Sequence, residues 1–321
     1  MKRLIVVSLS LLLSNSILAQ KSIKEYVDDN GRERIMKSIA MPPGCQPTTA
    51  KSYDDGHGKN PLLFYKNQLP DTVALATMYI YDLGTTTQTE AGHWLYTEKT
   101  FVSAEGGNYL ANEIVKETLA ELRESFKRQG VVLLTPDQYL NTAEKRNYYY
   151  KTFTPQISKL GNFLSGIENK NTDIAVAADG YRPFDIAAAN DYLRAESMGG
   201  DLAGKLGVDG ILNIAVELQT DRRDINIHGV KMVLHGPNPI AREDKKYIGQ
   251  KVGSGYYAGQ IFAAGSFFFK KPIEVASYKK KEGLQPPNFT GLATIFGSFV
   301  DRFYGEMNDC LTKAAKKYDK L

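Results

Sequence analysis

LAGKLGVDGILNIAVEL, at residues 202–218, places glycines at positions 204, 207 and 210 ahead of an alternating apolar run. A phosphate-binding loop needs the order strand, glycine turn and helix, because the amides at the helix N-terminus then face the anion. In this segment a helical pattern comes before the glycines and a strand pattern comes after them. The segment therefore predicts a structural joint in which Gly207 ends a helix in the left-handed conformation, and it predicts no nucleotide site.

The residues that follow predict an antiparallel hairpin. Apolar residues alternate along the first strand, residues 220–224 (TDRRD) supply a turn, and residues 225–234 (INIHGVKMVL) supply the second strand. The side chains expected together on one face are Leu212, Ile214, Val216 and Leu218 of the first strand and His228, Val230, Met232 and Leu234 of the second. We expect this face to pack against a core.

Strand and helix patterns also alternate upstream of the joint. Residues 71–81 (DTVALATMYIY) are apolar on both faces, which is typical of a central strand. A polar loop is expected next, and residues 93–104 indicate a further strand. Apolar residues at spacings of three and four over residues 108–130 predict a long helix, which Gly130 ends.

A short strand and a second helix start are expected directly after Gly130. Residues 131–135 (VVLLT) predict a short buried strand. Thr135 then has the position of a helix N-cap, with Pro136 at the first helical position and Gln138 at the capping-box position. Strand, helix, strand and helix in this order indicate α/β organisation.

The rest of the chain predicts one more helix–strand unit, several strands and a closing helix. A helical pattern covers residues 186–206, with a bend at Gly199 and Gly200, and strands are expected within residues 255–277. The terminal helix is expected at residues 292–318. Its apolar stripe consists of Leu292, Ile295, Phe296, Phe299, Phe303, Met307 and Leu311.

These patterns predict an α/β fold class with an α+β tendency: a mixed sheet with packed helices, including a long C-terminal helix. Residues 20–70 are dense in Gly, Pro, Asp and Asn, which predicts an irregular N-terminal extension. The expected organisation is a signal peptide at residues 1–19, the extension at residues 20–70, and an α/β domain at residues 71–321.

The first residues have the order of a cleaved secretory signal. Lys2 and Arg3 are followed by an apolar run at residues 4–13 and by the small residue Ala19. Cleavage after Ala19 leaves 38 basic and 36 acidic residues, a formal charge of +2. Such a balance argues against nucleic-acid binding. We expect export to the periplasm, or an outer-membrane-associated or extracellular location, with no transmembrane helix in the mature chain.

The two cysteines are Cys45, in the proline-rich loop MPPGCQP, and Cys310, in the last helix. Export places them where disulfides persist, so they are the disulfide candidates, and two separate thiols are the alternative. A bridge would close a loop of most of the chain, for which the chain-entropy model gives about 5 kcal/mol as an upper figure. Non-reducing peptide mapping distinguishes the two states.

No catalytic, cofactor-binding or metal-binding motif is present. The best match to a serine-hydrolase elbow, around Ser197, falls inside a helical pattern, and the zinc-protease motif HExxH is absent. The four histidines, His57, His93, His228 and His235, are scattered, and we expect packed or solvated imidazoles. We interpret residues 255–272 (GYYAGQIFAAGSFFFKKP) as core strands and residues 145–153 (KRNYYYKTF) as the end of an amphipathic helix.

The order of elements over residues 71–318 resembles a group of envelope α/β domains. Two segments carry the resemblance, FKRQGVVLLTPDQYL and LAGKLGVDGILNIAVEL, in which G-V-x-L and A-x-x-L-G-V-D-G-I-L form structural joints. The group comprises the periplasmic domain of curli-secretion-channel (CsgG-like) proteins and the N-terminal domain of TolB-like proteins. The chain differs from CsgG-like proteins because it has no lipoprotein cysteine and no clear pair of membrane hairpins. The resemblance implies a non-enzymatic binding or assembly role in the envelope.

We therefore expect an exported, non-catalytic envelope protein that binds another envelope protein or a glycan. One alternative is an exported hydrolase whose carboxylates come together only in the fold. Two convergent carboxylates, or an imidazole with a shifted pKa, would favour that hydrolase. Another alternative is an outer-membrane assembly or secretion subunit, which would form ring-like oligomers. No cofactor is expected.

Overall fold

The computed structural model describes residues 21–41, 69–91, 94–152, 174–183, 202–237, 251–252, 255–256 and 259–318. The described part is a mixed α/β fold built on one large twisted sheet. The helices are α1 (Ile23–Ser38), α2 (Ala104–Arg128), α3 (Pro136–Tyr139), α4 (Ala143–Thr152), α5 (residues 202–206) and α6 (Leu292–Tyr318). The predicted α/β fold class and the long C-terminal helix are confirmed.

The strands fall into one main sheet and two short hairpins. They are β1 (Thr72–Asp82), β2 (Thr85–Ala91), β3 (Trp94–Thr100), β4 (Val132–Leu134), β5 (Ile174–Ala177), β6 (Gly210–Asp221), β7 (Asp224–Pro237), β8 (Lys251–Val252), β9 (Gly255–Tyr256), β10 (Gly259–Lys279) and β11 (Gly283–Leu284). The main sheet has the order β11-β10-β7-β6-β1-β4, and β5 also pairs with β1. Strand β1 is parallel to β4 and β6, and the other pairings of the main sheet are antiparallel.

Helices cover both faces of this sheet. The front face packs against α1, α2 and α6 in the larger core, and the back face packs against α3, α4 and α5 in a smaller one. Strand β1 lies between these layers with nearly all its residues buried, as its two apolar faces predicted. The stripe predicted for α6 is buried from Leu292 to Met307.

A β-bulge in β1 determines how the back layer is attached. The register between β1 and β6 shifts between Leu75 and Thr77, and a bulge takes a residue out of the regular ladder. Two buried tyrosine hydroxyls donate to carbonyls at this point: Tyr139 to the oxygen of Leu75 at 3.1 Å, and Tyr149 to the oxygen of Ala76 at 2.6 Å. Burial raises the pKa of both phenols, which therefore stay protonated as donors.

The glycine joint is confirmed. Residues 202–206 are helical, Gly207 has a φ of 73°, and β6 begins at Gly210. The amides of Gly207 and Val208 both donate to the carbonyl of Ala203, at 2.9 and 3.0 Å, so the last helical carbonyls are paired. An anion at Gly207 would lie against these helix-end carbonyls, whose partial negative charge disfavours it. The segment is therefore a structural joint.

The start of α3 was predicted correctly, and the start of α2 was predicted too late in the chain. Gln138 accepts from the amide of Thr135 at 3.0 Å, so the capping interaction expected at α3 is present. The predicted helix at residues 108–130 begins earlier, at Ala104, because Ser103 caps it through the amide of Gly106. The glycines at positions 106 and 107 concealed this start, since they are poor helix formers.

Part of the segment expected to be irregular is helical. Helix α1 begins with a capping box in which Ser22 and Glu25 bond reciprocally, and it kinks at Gly31, where φ is 66°. The turn signal of residues 28–31 (DDNG) therefore marks a kink inside a helical segment. Tertiary contacts hold this segment, because Ile23 and Ile35 are buried in the larger core.

A polar network attaches α1 to α2 and α6. The guanidinium of Arg32 donates to Glu121 and to Asp301, each at 2.8 Å, and Ser125 and Arg128 also bond Glu121. Burial by itself would raise the pKa of Glu121, but the hydrogen bonds from Arg32, Arg128 and Ser125 hold it below its ordinary value. This contribution to stability is present above the ordinary pKa of a glutamate and is lost as the pH falls through the lowered one.

Two segments form strands that were not predicted from the sequence. Residues 85–91 (TTTQTEA) were expected to be a loop, yet they pair with β3 along their whole length. Threonine favours strands because of its β-branched side chain. Residues 174–177, for which no regular element was predicted, pair antiparallel with the end of β1. The predicted helical residues 186–201 lie outside the described residues.

The end of β1 is fixed by the buried carboxylate of Asp82. One oxygen accepts from the amides of Gly84 at 2.9 Å and Thr220 at 3.0 Å. The other accepts from the amide of Val102 and the hydroxyl of Thr220, both at 2.7 Å. The carboxylate thus joins the end of β1, the end of β6 and the segment that leads into α2.

The joint makes a paired prediction about stability. Replacing Gly207 by Ala is expected to destabilise the fold by about 1 kcal/mol, because a Cβ is strained at positive φ, although the nearest atom, Nζ of Lys145, is 3.6 Å away. Gly204 is helical with open space around it, so Gly204→Ala is expected to stabilise by about 0.5–1 kcal/mol. Urea unfolding measures both variants, and equal shifts would contradict the role of Gly207.

The carboxylate at the end of β1 makes a second prediction. Asp82→Asn is expected to destabilise by about 3 kcal/mol, because an amide NH₂ would replace an acceptor that faces buried N–H groups. Thr220→Val is the matched control, since it removes one donor and leaves the carboxylate intact, and about 1 kcal/mol is expected. Thermal and denaturant unfolding give both values. A loss for Asp82→Asn no larger than the loss for Thr220→Val would refute this role.

Candidate functional site

A row of polar side chains crosses the back face of the sheet on β6 and β7. Three cross-strand pairs form this polar row: Asn213 with His235, Glu217 with Lys231, and Gln219 with His228. Alternate residues of a strand share a face, which places Asn213, Glu217 and Gln219 on the side of β6 opposite its apolar residues. The polar row therefore lies on the face that carries the smaller core.

The inner end of the polar row is fully buried. Asn213 and His235 are 1% and 0% exposed, and the amide nitrogen of Asn213 contacts Nε2 of His235. Thr77 of β1 lies directly across from Asn213 and is also fully buried. Among the described residues, Oγ1 of Thr77 and Oδ1 of Asn213 have no hydrogen-bond partner in the protein. Unpaired buried polar atoms are costly, so this end carries unused hydrogen-bonding capacity.

The outer end of the polar row opens to solvent. Lys231 forms an ion pair with Glu217, and its Nζ also lies 5.8 Å from the ring centre of Phe268 on β10. That ring is 49% exposed. The ring lies against Gly229, the residue of β7 that pairs with Phe268. A Cβ on this glycine would come within 2.5 Å of a ring carbon. The outer end thus combines a neutralised ion pair, an amide, an imidazole and an exposed aromatic ring.

His228 occupies a different position from the one predicted. A register shift between β6 and β7 falls at this residue, so that Ile225 and Ile227 before it, and Val230 after it, are buried in the larger core. His228 is the additional residue of the bulge and leaves the apolar face. Its Nε2 lies 2.8 Å from Oε1 of Gln219. Strict alternation placed His228 in the core, and the bulge makes it a member of the polar row.

The polar row offers hydrogen-bonding groups and one ion pair. Glu217 and Lys231 neutralise each other, and none of the six side chains is a hydroxyl or thiol nucleophile. No group of three or more His, Cys, Asp or Glu side chains that could hold a metal ion occurs within the part of the chain that the structure describes. Burial lowers the pKa of His228, while the charge of Glu217 acts in the opposite direction. The imidazole is therefore neutral near pH 7 and can donate or accept.

The other residues singled out from the sequence lie apart from the polar row. Lys205 belongs to the joint. Its Nζ lies 3.9 Å from Oε1 of Glu144 and 6.0 Å from the ring centre of Tyr148, both on α4. Cys45, His57, His93 and Ser197 lie outside the described residues. The backbone of Cys310 belongs to α6, but its side chain is not described, so the disulfide stays a prediction.

The two aromatic segments adopt the predicted secondary structure. Residues 145–152 form most of α4, and Tyr149 of this segment is buried. Residues 259–272 belong to β10, where Phe267 and Phe269 are buried and Phe268 between them is exposed. The polar row was not predicted, although the sequence carries a signal for it: in ILNIAVELQT, every second residue from Asn213 to Gln219 except alanine is polar.

Comparisons with known proteins returned no relative. No family model matches the chain, and no curated protein and no solved structure matches it. Among the helices that the structure describes, none has the length and apolar character needed to span a bilayer.

The environment of His228 makes a prediction about pH. We expect its imidazole to titrate below the ordinary value of 6.5, because burial disfavours the imidazolium. Glu217→Gln removes a charge that favours the imidazolium and is expected to lower the pKa further. NMR titration of the histidine ring protons measures both shifts, with Glu113→Gln on α2 as the control.

The same shift has a stability counterpart with a defined sign. The folded state favours the neutral form of His228. The contribution of this residue to the free energy of unfolding is therefore fully present above the ordinary pKa of histidine, and it is lost as the pH falls through the lowered pKa of His228. A pKa of His228 at or above 6.5, or a rise in Glu217→Gln, would contradict this description.

Proposed function

We propose that the protein is an exported, non-catalytic binding protein of the cell envelope that recognises a glycan at the outer end of the polar row. The observation that carries this proposal is the exposed ring of Phe268 beside the pairs Gln219–His228 and Glu217–Lys231. The signal-like N-terminus supports export, and the resemblance of residues 71–318 to envelope α/β domains supports a binding role.

The groups at the outer end match the chemistry of a sugar. A sugar presents hydroxyls that both donate and accept hydrogen bonds, together with flat patches of C–H groups. Gln219 and neutral His228 supply donors and acceptors, and the exposed ring of Phe268 supplies a flat apolar surface. Because Glu217 and Lys231 neutralise each other, the outer end carries no excess of charge and favours an uncharged ligand.

The size of the outer end also favours a small ligand over a protein. Stable protein interfaces bury about 800 Å² on each partner. The outer end consists of five side chains on three neighbouring strands, which corresponds to one or two sugar rings. An envelope protein as the partner would need contacts well beyond these residues.

A second candidate is an exported hydrolase in which His228 acts as a general base beside Glu217. The lowered pKa of His228 favours it, because a neutral imidazole is able to accept a proton near pH 7. Glu217 lies in an ion pair with Lys231 at the same end of the polar row. This second candidate would be supported if the wild-type chain released products from a glycan and Glu217→Gln abolished this release without abolishing binding.

Titration with purified, soluble envelope glycan fragments tests the proposal. Phe268→Ala is expected to weaken binding about tenfold, because the ring loses its stacking surface. Tyr109→Ala on α2 is the matched control, since this side chain is 39% exposed and lies on another surface, and a change of less than twofold is expected. Isothermal titration calorimetry measures both affinities.

Two results, one from this titration and one from a retention experiment with purified envelope proteins, would contradict the glycan proposal. The first is the absence of binding to any fragment by a correctly folded chain. The second is specific, Phe268-dependent retention of a purified envelope protein without retention of glycan, which would assign the outer end to a protein partner.

A further inference from the structure

An exposed basic cluster lies at the end of the sheet where β1 and β6 have their carboxyl termini. Three segments form this basic end: the β6–β7 turn, a bulge in β10, and the β10–β11 turn. Its basic residues are Arg222, Arg223, Lys270, Lys271, Lys279, Lys280 and Lys281, all of them exposed. None of them belongs to the polar row.

The pairing of the strands brings these segments together. The amide of Tyr278 donates to the carbonyl of Arg223 at 2.7 Å, which holds the β6–β7 turn beside the β10–β11 turn. The bulge carrying Lys270 and Lys271 lies between Phe268 and Ile273, which pair with Gly229 and Ile227, four to six residues from Arg223 along the chain. At about 3.3 Å per residue, the three segments lie within roughly 20 Å of one another.

Most of the basic side chains at the basic end are not engaged in ion pairs. Lys279 pairs with Glu282 at 3.3 Å, and the other six basic side chains form no ion pair with a described carboxylate. The helices differ, because their exposed lysines are commonly paired with an acid three or four residues away, as in Lys24–Asp28 and Lys116–Glu113. Four exposed acids adjoin the cluster, Asp221, Asp224, Glu274 and Glu282, and the cluster keeps a net charge of +3.

The backbone at the basic end is also unusual. Arg222 has a φ of 53° and is the only non-glycine residue with positive φ in the described part of the chain. Glycine or asparagine would adopt this conformation at lower cost. This strained residue is itself one of the cations of the basic end.

We propose that the basic end docks onto an anionic phospholipid surface. The cations lie on two short turns and a bulge near one end of the sheet and do not follow a single groove or helix, an arrangement that suits a planar charged surface. The near balance of charge over the whole chain disfavours a nucleic-acid partner. Each basic side chain near an anionic membrane surface contributes to binding in a way that falls off with salt.

Vesicle co-sedimentation tests this docking surface directly. The wild-type chain is expected to bind vesicles with about 30% phosphatidylglycerol at least tenfold more tightly than pure phosphatidylcholine vesicles, and to lose most of this binding at high salt. Neutralising four lysines of the basic end, in the variant Lys270→Gln/Lys271→Gln/Lys280→Gln/Lys281→Gln, is expected to weaken the binding at least tenfold.

The matched control removes the same charge elsewhere. The variant Lys24→Gln/Lys37→Gln/Lys116→Gln/Lys127→Gln replaces four exposed, ion-paired lysines on α1 and α2, and we expect it to bind within twofold of wild type. All chains are compared with the same N-terminus, so that the apolar leader contributes equally.

Three results would overturn the docking surface. They are equal binding to neutral and anionic vesicles, equal weakening by the two quadruple variants, and binding to duplex DNA at the same salt that equals or exceeds vesicle binding. Far-UV circular dichroism and thermal unfolding of both variants confirm that any loss reflects charge rather than misfolding.

Discussion

The buried carboxylate of Asp82 holds the carboxyl ends of β1 and β6 together. It has no described cationic partner, so the four donors around it must all be present for its burial to be tolerated. Those donors come from Gly84, Val102 and Thr220, which belong to three different segments. The end of β1, the end of β6 and the segment leading into α2 are consequently fixed together, and both proposed surfaces lie at this end of the sheet.

The two faces of the sheet serve different purposes. The front face is almost wholly apolar and packs against three helices, so it supplies most of the hydrophobic stabilisation. The back face is apolar only where α3, α4 and α5 cover it, and the polar row continues from there towards solvent. The bulge in β1 links these features, because it provides the carbonyls that Tyr139 and Tyr149 bond, and it turns Thr77 towards Asn213.

The position of the two surfaces follows a general property of α/β sheets. Ligands of such folds bind beyond the carboxyl ends of parallel strands, where loops rather than packed helices surround the site. Here β1 and β6 are parallel, and their carboxyl ends lead to the outer end of the polar row and to the turn that carries Arg222. A glycan site and a lipid-facing basic end on one side of the molecule would allow the protein to bind its ligand close to a membrane.

The sequence by itself determined the local architecture: the joint at Gly207, the double-sided burial of β1, the hairpin of β6 and β7, the capping of α3 and the extent of α6. Each of these follows from periodicity or from the conformational preference of single residues, both of which are local properties. Only the tertiary structure decided the rest. The bulges in β1 and β7, the docking of α1 through Arg32, and the meeting of three basic segments all depend on partners distant in the chain. Those partners determine which way His228 faces and which charges remain unpaired.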